Sequence, residues 1–187
     1  MNHWLNLPNF LTVGRIFAIP GIVSLWWANL LGYALAVALI AFLTDFFDGK
    51  LARKLQQITP LGCILDPVAD KLLVTSLFLL LAYEAIVPFA FFALVVLRNA
   101  SQLLSIPILL WWKNISFKVK PKLIPKCATA LSFVAIGLGF LQKIQGTHFQ
   151  GLWTVFLVAL GMMELYILVT FWPRFAQIYQ GTHDTFE

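Results

Sequence analysis

Four aspartates stand out in this chain because they lie close together within strongly apolar sequence. Half of its eight acidic residues fall between positions 45 and 70, namely Asp45, Asp48, Asp66 and Asp70. A carboxylate near the centre of a bilayer costs roughly 2.5 to 3.5 kcal/mol, so four together cost on the order of 10 kcal/mol. A bound ligand must offset that cost, unless the acids pair with neighbouring lysines and arginines or extend into water.

The spacing of these residues favours a shared ligand over both of those alternatives. At about 100° per residue, one face of a helix collects the first two aspartates and three residues that follow them: Asp45, Asp48, Gly49, Ala52 and Arg53. Asp66 and Asp70 are four residues apart and so share a face of the next helix. The short connection from Gln56 to Gly62 makes the two helices antiparallel neighbours, and we expect the four carboxylates to converge on one pocket.

The residue types at this pocket indicate a metal and diphosphate site. Oxygen donors without histidine or cysteine suit Mg²⁺, Mn²⁺ or Ca²⁺ rather than zinc. Gly49 and Ala52 have almost no side chain, so a bulky ligand can approach the backbone there. Arg53 offers a fork of donors to a phosphate.

The composition identifies the elements that carry these residues as membrane helices. The 187 residues are 60% hydrophobic and 11% charged, with a mean hydropathy of +0.86. These values exclude an ordinary soluble domain, a disordered chain and a disulfide scaffold. The sequence has no basic run interleaved with aromatic residues on a soluble surface, so nucleic-acid binding is not indicated. At about 20 residues per span, the chain predicts an all-α integral membrane bundle of six transmembrane helices, forming a single domain over residues 1–187.

The apolar runs predict where the six spans lie. Residues 1–10 form a short N-terminal interfacial segment, and Pro20 kinks the first span. The predicted spans are Leu11–Ala28, Tyr33–Lys54, Cys63–Tyr83, Pro88–Trp112, Cys127–Leu141 and Leu152–Trp172, with Pro121 as an alternative start of the fifth span. We expect Cys63 and Cys127 to be buried small hydrophobic residues and Glu164 to make a polar contact between helices.

The basic residues predict the orientation. Nine of the thirteen lysines and arginines follow spans two, four and six, whereas Lys143 alone lies on the other side. The excess of positive charge places both termini and the pocket on the cytoplasmic side. The expected location is a bacterial inner membrane or a related bioenergetic membrane.

The aspartate motif also carries a family resemblance. The run Asp45-Phe-Phe-Asp48-Gly49-Lys-Leu-Ala52-Arg53, followed at fixed spacing by Gly62, Asp66 and Asp70, resembles the signature of the CDP-alcohol phosphatidyltransferase family. The opening Asn6-Leu-Pro8-Asn9-Phe-Leu-Thr12 is similar to that family as well, and so are the chain length and the number of spans.

The resemblance implies transfer of a phosphatidyl group from CDP-diacylglycerol to an alcohol acceptor, with release of CMP, by a homodimer in the bilayer. It implies Mg²⁺ or Mn²⁺ held by Asp45, Asp48, Asp66 and Asp70. Asp70 would also act as the general base. The CDP moiety would be held by Asp45, Asp48, Gly49, Ala52 and Arg53.

The acceptor implied is of the glycerol type, either glycerol-3-phosphate or phosphatidylglycerol. Family members that use glycerol-3-phosphate commonly have glutamate after the arginine of span four, whereas Asn99 follows Arg98 here. The stretch from Lys120 to Thr129 looks closer to cardiolipin synthases of the family. Candidate binders of the acceptor phosphate are Arg98, Lys122 and Lys126.

Three alternatives remain at the level of sequence. Another acceptor of the same family, serine or inositol phosphate, would use the same motif. Membrane prenyltransferases also bind magnesium diphosphate with paired aspartates, but their motifs lack the glycine, alanine and arginine that follow Asp48 here. A cation carrier would leave Gly49, Ala52 and Arg53 without a role.

Overall fold

The protein is described by a computed structural model that covers most of the chain. The described residues are 7–54, 60–107, 118–119, 123–146, 150–179 and 185–186. Side chains are described at 10–44, 65–105, 124–146 and 151–179.

Six α-helices make up nearly all of the described chain. They are α1 (Leu7–Trp27), α2 (Leu31–Lys54), α3 (Pro60–Tyr83), α4 (Phe89–Pro107), α5 (Leu123–Gln145) and α6 (Gln150–Tyr179). The other regular elements described are two-residue strands, β1 (Lys118–Val119) and β2 (Thr185–Phe186), which pair in parallel. The all-α prediction is therefore confirmed.

Local sequence explains several helix ends. α3 begins at Pro60, and proline suits the first position of a helix because its missing N–H would be unpaired there anyway. The turn between α1 and α2 passes through Asn29 with a φ of 59°, a left-handed conformation that asparagine tolerates. α1 and α2 are joined by only three residues, so they form an antiparallel pair.

Helix α3 lies at the centre of the bundle. It packs against α1, α4 and α5, while α2 packs against α1 and α5, and α6 against α4 and α5. Its side chains Ala69, Leu73, Phe78 and Leu81 are all buried. An element with neighbours on three sides is held firmly, so α3 is a rigid support for whatever its polar residues do.

Small residues let the helices approach each other closely. Gly139 of α5 faces Leu81 of α3, and a Cβ at position 139 would lie 2.8 Å from Leu81 Cδ1. On α2, Ala34, Ala38 and Ala41 form a buried stripe. In the absence of a strong hydrophobic drive between helices in lipid, such close packing supplies much of the association energy.

Apolar outward faces indicate a membrane protein. Large hydrophobic side chains such as Phe17, Leu152 and Val155 are more than two-thirds exposed. Among the described residues, three helices are long and apolar enough to cross a bilayer: Phe10–Trp27, Ile124–Gln145 and Gly151–Tyr179. Shorter apolar helical stretches cover Leu31–Thr44 and Phe89–Ser105. The prediction of six spans remains a prediction.

The helices extend beyond several predicted span limits. Leu7–Phe10, expected in the interfacial segment, form the first turn of α1, and residues 1–6 of that segment lie outside the described part. α5 begins at Leu123, between the two predicted starts Pro121 and Cys127, and Pro125 is tolerated in its first turn. Pro20 lies inside α1, which is helical on both sides of it.

Candidate active site

Asp66 and Asp70 lie one turn apart on α3, as their spacing predicts. Both side chains are partly buried. Because α3 is helical without interruption from Pro60 to Tyr83, the two carboxylates share one face of a central helix. α3 thus presents half of the predicted metal site.

Thr12 of α1 contacts the first of these carboxylates directly. Its hydroxyl donates a hydrogen bond of 2.5 Å to Asp66 Oδ1, at the short end of the range for a hydroxyl bonded to a carboxylate. The Thr12 side chain is fully buried. The resemblance includes Thr12 only as part of an opening segment, so its contact with Asp66 is new information from the fold.

Arg15 is a second polar residue of α1 that the sequence motifs do not single out. It lies one turn after Thr12 and is only 2% exposed. Its helix packs against α3, which carries Asp66 and Asp70.

The other half of the predicted site lies on α2. Asp45, Asp48, Gly49, Ala52 and Arg53 are all in this helix, which is continuous to Lys54, so their backbone has the helical period that the prediction requires. Their side chains lie outside the described ones. α1 packs against both α2 and α3.

The described side chains alone do not complete a metal site. Within this part of the chain, no group of three or more histidines, cysteines, aspartates or glutamates could hold a metal ion. The predicted donor set has four members, of which Asp66 and Asp70 are described. The convergence of all four remains a prediction.

A second polar cluster lies on the other side of α3, between α4 and α6. Arg98 of α4 forms an ion pair with Glu164 of α6, with 3.3 Å between Nε and Oε2. Glu164 is fully buried, and Ser132 of α5 donates a hydrogen bond of 3.3 Å to its Oε1. The expected interhelical polar contact of Glu164 is confirmed, and its partner is Arg98.

Asn99 extends this cluster to α3. Arg98 Nη1 donates to Asn99 Oδ1 at 3.3 Å, and Asn99 Nδ2 donates to Thr75 Oγ1 at 3.1 Å. The neutral amide thus accepts from the guanidinium and donates to a hydroxyl. An acidic residue at this position could not make both bonds in this way.

Lys71 connects the two clusters. It directly follows Asp70, donates a hydrogen bond to Gln102 of α4, and lies within electrostatic range of Asp70, Arg98 and Glu164. Asp70 and the Arg98 cluster are therefore linked through Lys71. A lysine beside an aspartate in sequence gives no indication of this contact with α4.

Lys126 and Cys127 lie near the start of α5. Lys126 is exposed in the first turn of this helix, whereas Lys122 lies outside the described residues. Cys127 is exposed and free, so its expected burial was wrong. The apolar sequence after Cys127 favoured a buried position, but the cysteine lies on an outward face of the first helical turns. The side chain of Cys63 lies outside the described ones.

The chain is similar to known proteins over most of its length. A family model described as CDP-alcohol phosphatidyltransferase matches residues 5–172. A relative from Cereibacter sphaeroides, named CDP-diacylglycerol–glycerol-3-phosphate 3-phosphatidyltransferase, is 31% identical over 163 residues, which are 76% of this chain and 69% of the relative.

Two further relatives match a smaller part. A protein from Rickettsia bellii with the same name is 48% identical over 81 residues, 41% of this chain and 44% of the relative. A cardiolipin synthase (CMP-forming) from Oryza sativa subsp. japonica is 39% identical over 106 residues, 55% of this chain and 30% of the relative. The chain thus spans less than half the length of these two relatives.

Proposed function

The chain belongs to the CDP-alcohol phosphatidyltransferase family, and we propose on this premise that it transfers a phosphatidyl group from CDP-diacylglycerol to glycerol-3-phosphate. The observation that carries the proposal is the pair Asp66 and Asp70 on the central helix, with Asp66 held by Thr12. These are the aspartates that the family signature requires on this helix. Membership argues against the prenyltransferase and the cation carrier, which are different classes of protein.

The proposed reaction is a substitution at phosphorus. The acceptor hydroxyl oxygen attacks the phosphorus that carries the diacylglycerol, the bond from that phosphorus to the oxygen of CMP breaks, and CMP leaves. The hydroxyl proton goes to the Asp70 carboxylate, which acts as general base. Asp70 lies one turn after Asp66 on the same helix, so its carboxylate would be close enough to a cation site at Asp66 to meet the acceptor hydroxyl.

A divalent cation fits the residues of this site. Asp45, Asp48, Asp66 and Asp70 supply only oxygen donors, as Mg²⁺ and Mn²⁺ prefer. At Asp66, Oδ1 accepts one hydrogen bond from Thr12, and the carboxylate has further lone pairs that would bind a cation. When bound, the cation supplies charge neutralisation for the diphosphate. Asp45 and Asp48 would bind this cation and also contact the CDP moiety.

The CDP moiety would lie along α2. Gly49 and Ala52 allow close approach to the helix backbone, and Arg53, one residue before its described end, would bind a phosphate. The two acyl chains would remain in the bilayer beside the exposed apolar faces. CDP-diacylglycerol then reacts at the membrane surface without leaving it.

Glycerol-3-phosphate is the acceptor favoured by the relatives, since those from Rickettsia bellii and Cereibacter sphaeroides carry it in their names. Phosphatidylglycerol is the second candidate, favoured by the match to a cardiolipin synthase and by the neutral Asn99 beside Arg98. We propose Arg98, Lys122 and Lys126 as binders of the acceptor phosphate. Arg98 already pairs with Glu164, so its remaining donors would serve this purpose.

The arrangement in the membrane is part of the proposal. We propose a single domain over residues 1–187 that assembles as a homodimer. Nine basic residues predict that both termini and the site face the cytoplasm, in a bacterial inner membrane or a related bioenergetic membrane.

The decisive assay follows CMP. Purified protein in detergent with Mg²⁺ or Mn²⁺ should release CMP from CDP-diacylglycerol only when an acceptor is present. Glycerol-3-phosphate, phosphatidylglycerol, serine and inositol phosphate are compared in parallel. CMP release with glycerol-3-phosphate and no other acceptor supports the proposal. CMP release with a different acceptor would show that this other alcohol is the substrate. No CMP release with any of the four acceptors would overturn the proposed function.

A further inference from the structure

We propose that Thr12 is a positioning residue for the divalent cation, an inference that rests on the metal site of the proposed function. Its hydroxyl donates to Asp66 Oδ1 at 2.5 Å across the interface between α1 and α3. This bond restricts the rotation of the Asp66 carboxylate and would thereby hold its remaining lone pairs in position for the cation.

The burial of Thr12 makes this contact structurally defined. The side chain is 0% exposed, so water cannot readily replace the hydroxyl as a donor. A threonine on a helix also has few rotamers, which holds its oxygen in place. The carboxylate of Asp66 therefore meets a donor that is fixed by the packing of two helices.

Outer partners of this kind tune metal affinity. A carboxylate that binds a metal is itself held by hydrogen bonds, and loss of such a partner typically weakens metal binding by about 10-fold to 100-fold. A valine at position 12 has nearly the shape of threonine but donates no hydrogen bond. A serine keeps the donor and loses only a methyl group.

The test measures Mn²⁺ binding in the absence of both substrates. Free Mn²⁺ is followed by electron paramagnetic resonance during titration of the purified full-length protein in detergent. We expect Thr12→Val to bind Mn²⁺ about 10-fold to 100-fold more weakly than the wild type, and Thr12→Ser to bind it nearly as tightly. Thr170→Val is the matched control, because the Thr170 hydroxyl bonds the backbone oxygen of Tyr166 within α6.

A second readout separates positioning from a general structural effect. Thr12→Val should need more Mg²⁺ for half-maximal CMP release while its kcat at saturating Mg²⁺ stays close to that of the wild type. The unfolding temperature of the metal-free variants is recorded alongside. If the valine variant does not fold, Thr12→Ala removes the same donor without adding bulk.

The results that would refute the role of Thr12 differ from those that would refute the proposed function. Mn²⁺ affinity of the valine variant within twofold of the wild type, or equal weakening in the serine variant, would overturn the role of Thr12, as would a wild-type protein that binds no Mn²⁺. A protein that binds Mn²⁺ in a Thr12-dependent way but releases no CMP would refute only the proposed function.

Discussion

Arg98 on α4 and Glu164 on α6 form an ion pair with 3.3 Å between Nε and Oε2, deep inside the bundle. Both residues are less than a tenth exposed. Removing one partner of a buried pair leaves an uncompensated charge, which costs about 3 to 5 kcal/mol, whereas replacing both by apolar residues is often neutral.

Glu164→Gln should therefore lower the free energy of unfolding by about 3 to 5 kcal/mol. The double variant Arg98→Met with Glu164→Leu should recover most of that loss. Both are measured by reversible denaturation in mixed micelles.

Glu84→Gln is the matched control for Glu164→Gln. Glu84 pairs with Lys143 at 2.5 Å, but both side chains are a quarter to a third exposed. Loss of an exposed pair should cost less than about 1 kcal/mol. If Glu164→Gln and Glu84→Gln lower the free energy of unfolding equally, breaking the buried ion pair costs no more than breaking the partly exposed one.

Gly139→Val should destabilise the bundle by about 1 to 3 kcal/mol, the usual cost of overpacking. A Cβ at this position lies 2.8 Å from Leu81 Cδ1, and Leu81 is fully buried and has little room to move. The unfolding temperature of the purified variant provides the measurement.

The neighbouring Gly137→Val serves as the control, because a Cβ at that position meets no atom within 4 Å. Combining Gly139→Val with Leu81→Ala should restore part of the stability by removing the clash. If Gly139→Val and Gly137→Val are equally stable, the space between α5 and α3 at Gly139 is large enough for a side chain, which contradicts the prediction.

Sequence reasoning succeeded where the signal is periodic. The apolar runs gave six helices, and the four-residue spacing put Asp66 and Asp70 on one face. Glu164 was expected to contact another helix because a buried charge needs a partner. Such inferences depend only on the spacing of residues along one helix, or on the free-energy cost of burying one charged side chain.

The contacts between helices could not be read in the same way. Thr12 with Asp66 and Arg98 with Glu164 join residues 54 and 66 positions apart, and their pairing depends on how the helices rotate against each other. The sequence did contain one indication that Arg15 is important, because a charged residue inside an apolar span usually has a function. The exposure of Cys127 likewise depends on the orientation of α5.

Asp70→Asn should retain binding of CDP-diacylglycerol and lose about 10²-fold to 10⁴-fold in turnover, because the amide cannot take the acceptor proton. CMP release gives the turnover, and binding of the labelled liponucleotide gives the affinity. Turnover near that of the wild type would remove Asp70 from the role of base.

The proposed phosphatidyl transfer is tested most directly by following the labelled acceptor into lipid. Wild-type protein, CDP-diacylglycerol, Mg²⁺ and isotopically labelled glycerol-3-phosphate are incubated, and the lipids are separated and identified by mass. The proposed reaction predicts labelled phosphatidylglycerophosphate in amounts equal to the CMP released, and almost none with Asp70→Asn. CMP released without label in the lipid fraction, or no CMP at all, would contradict it.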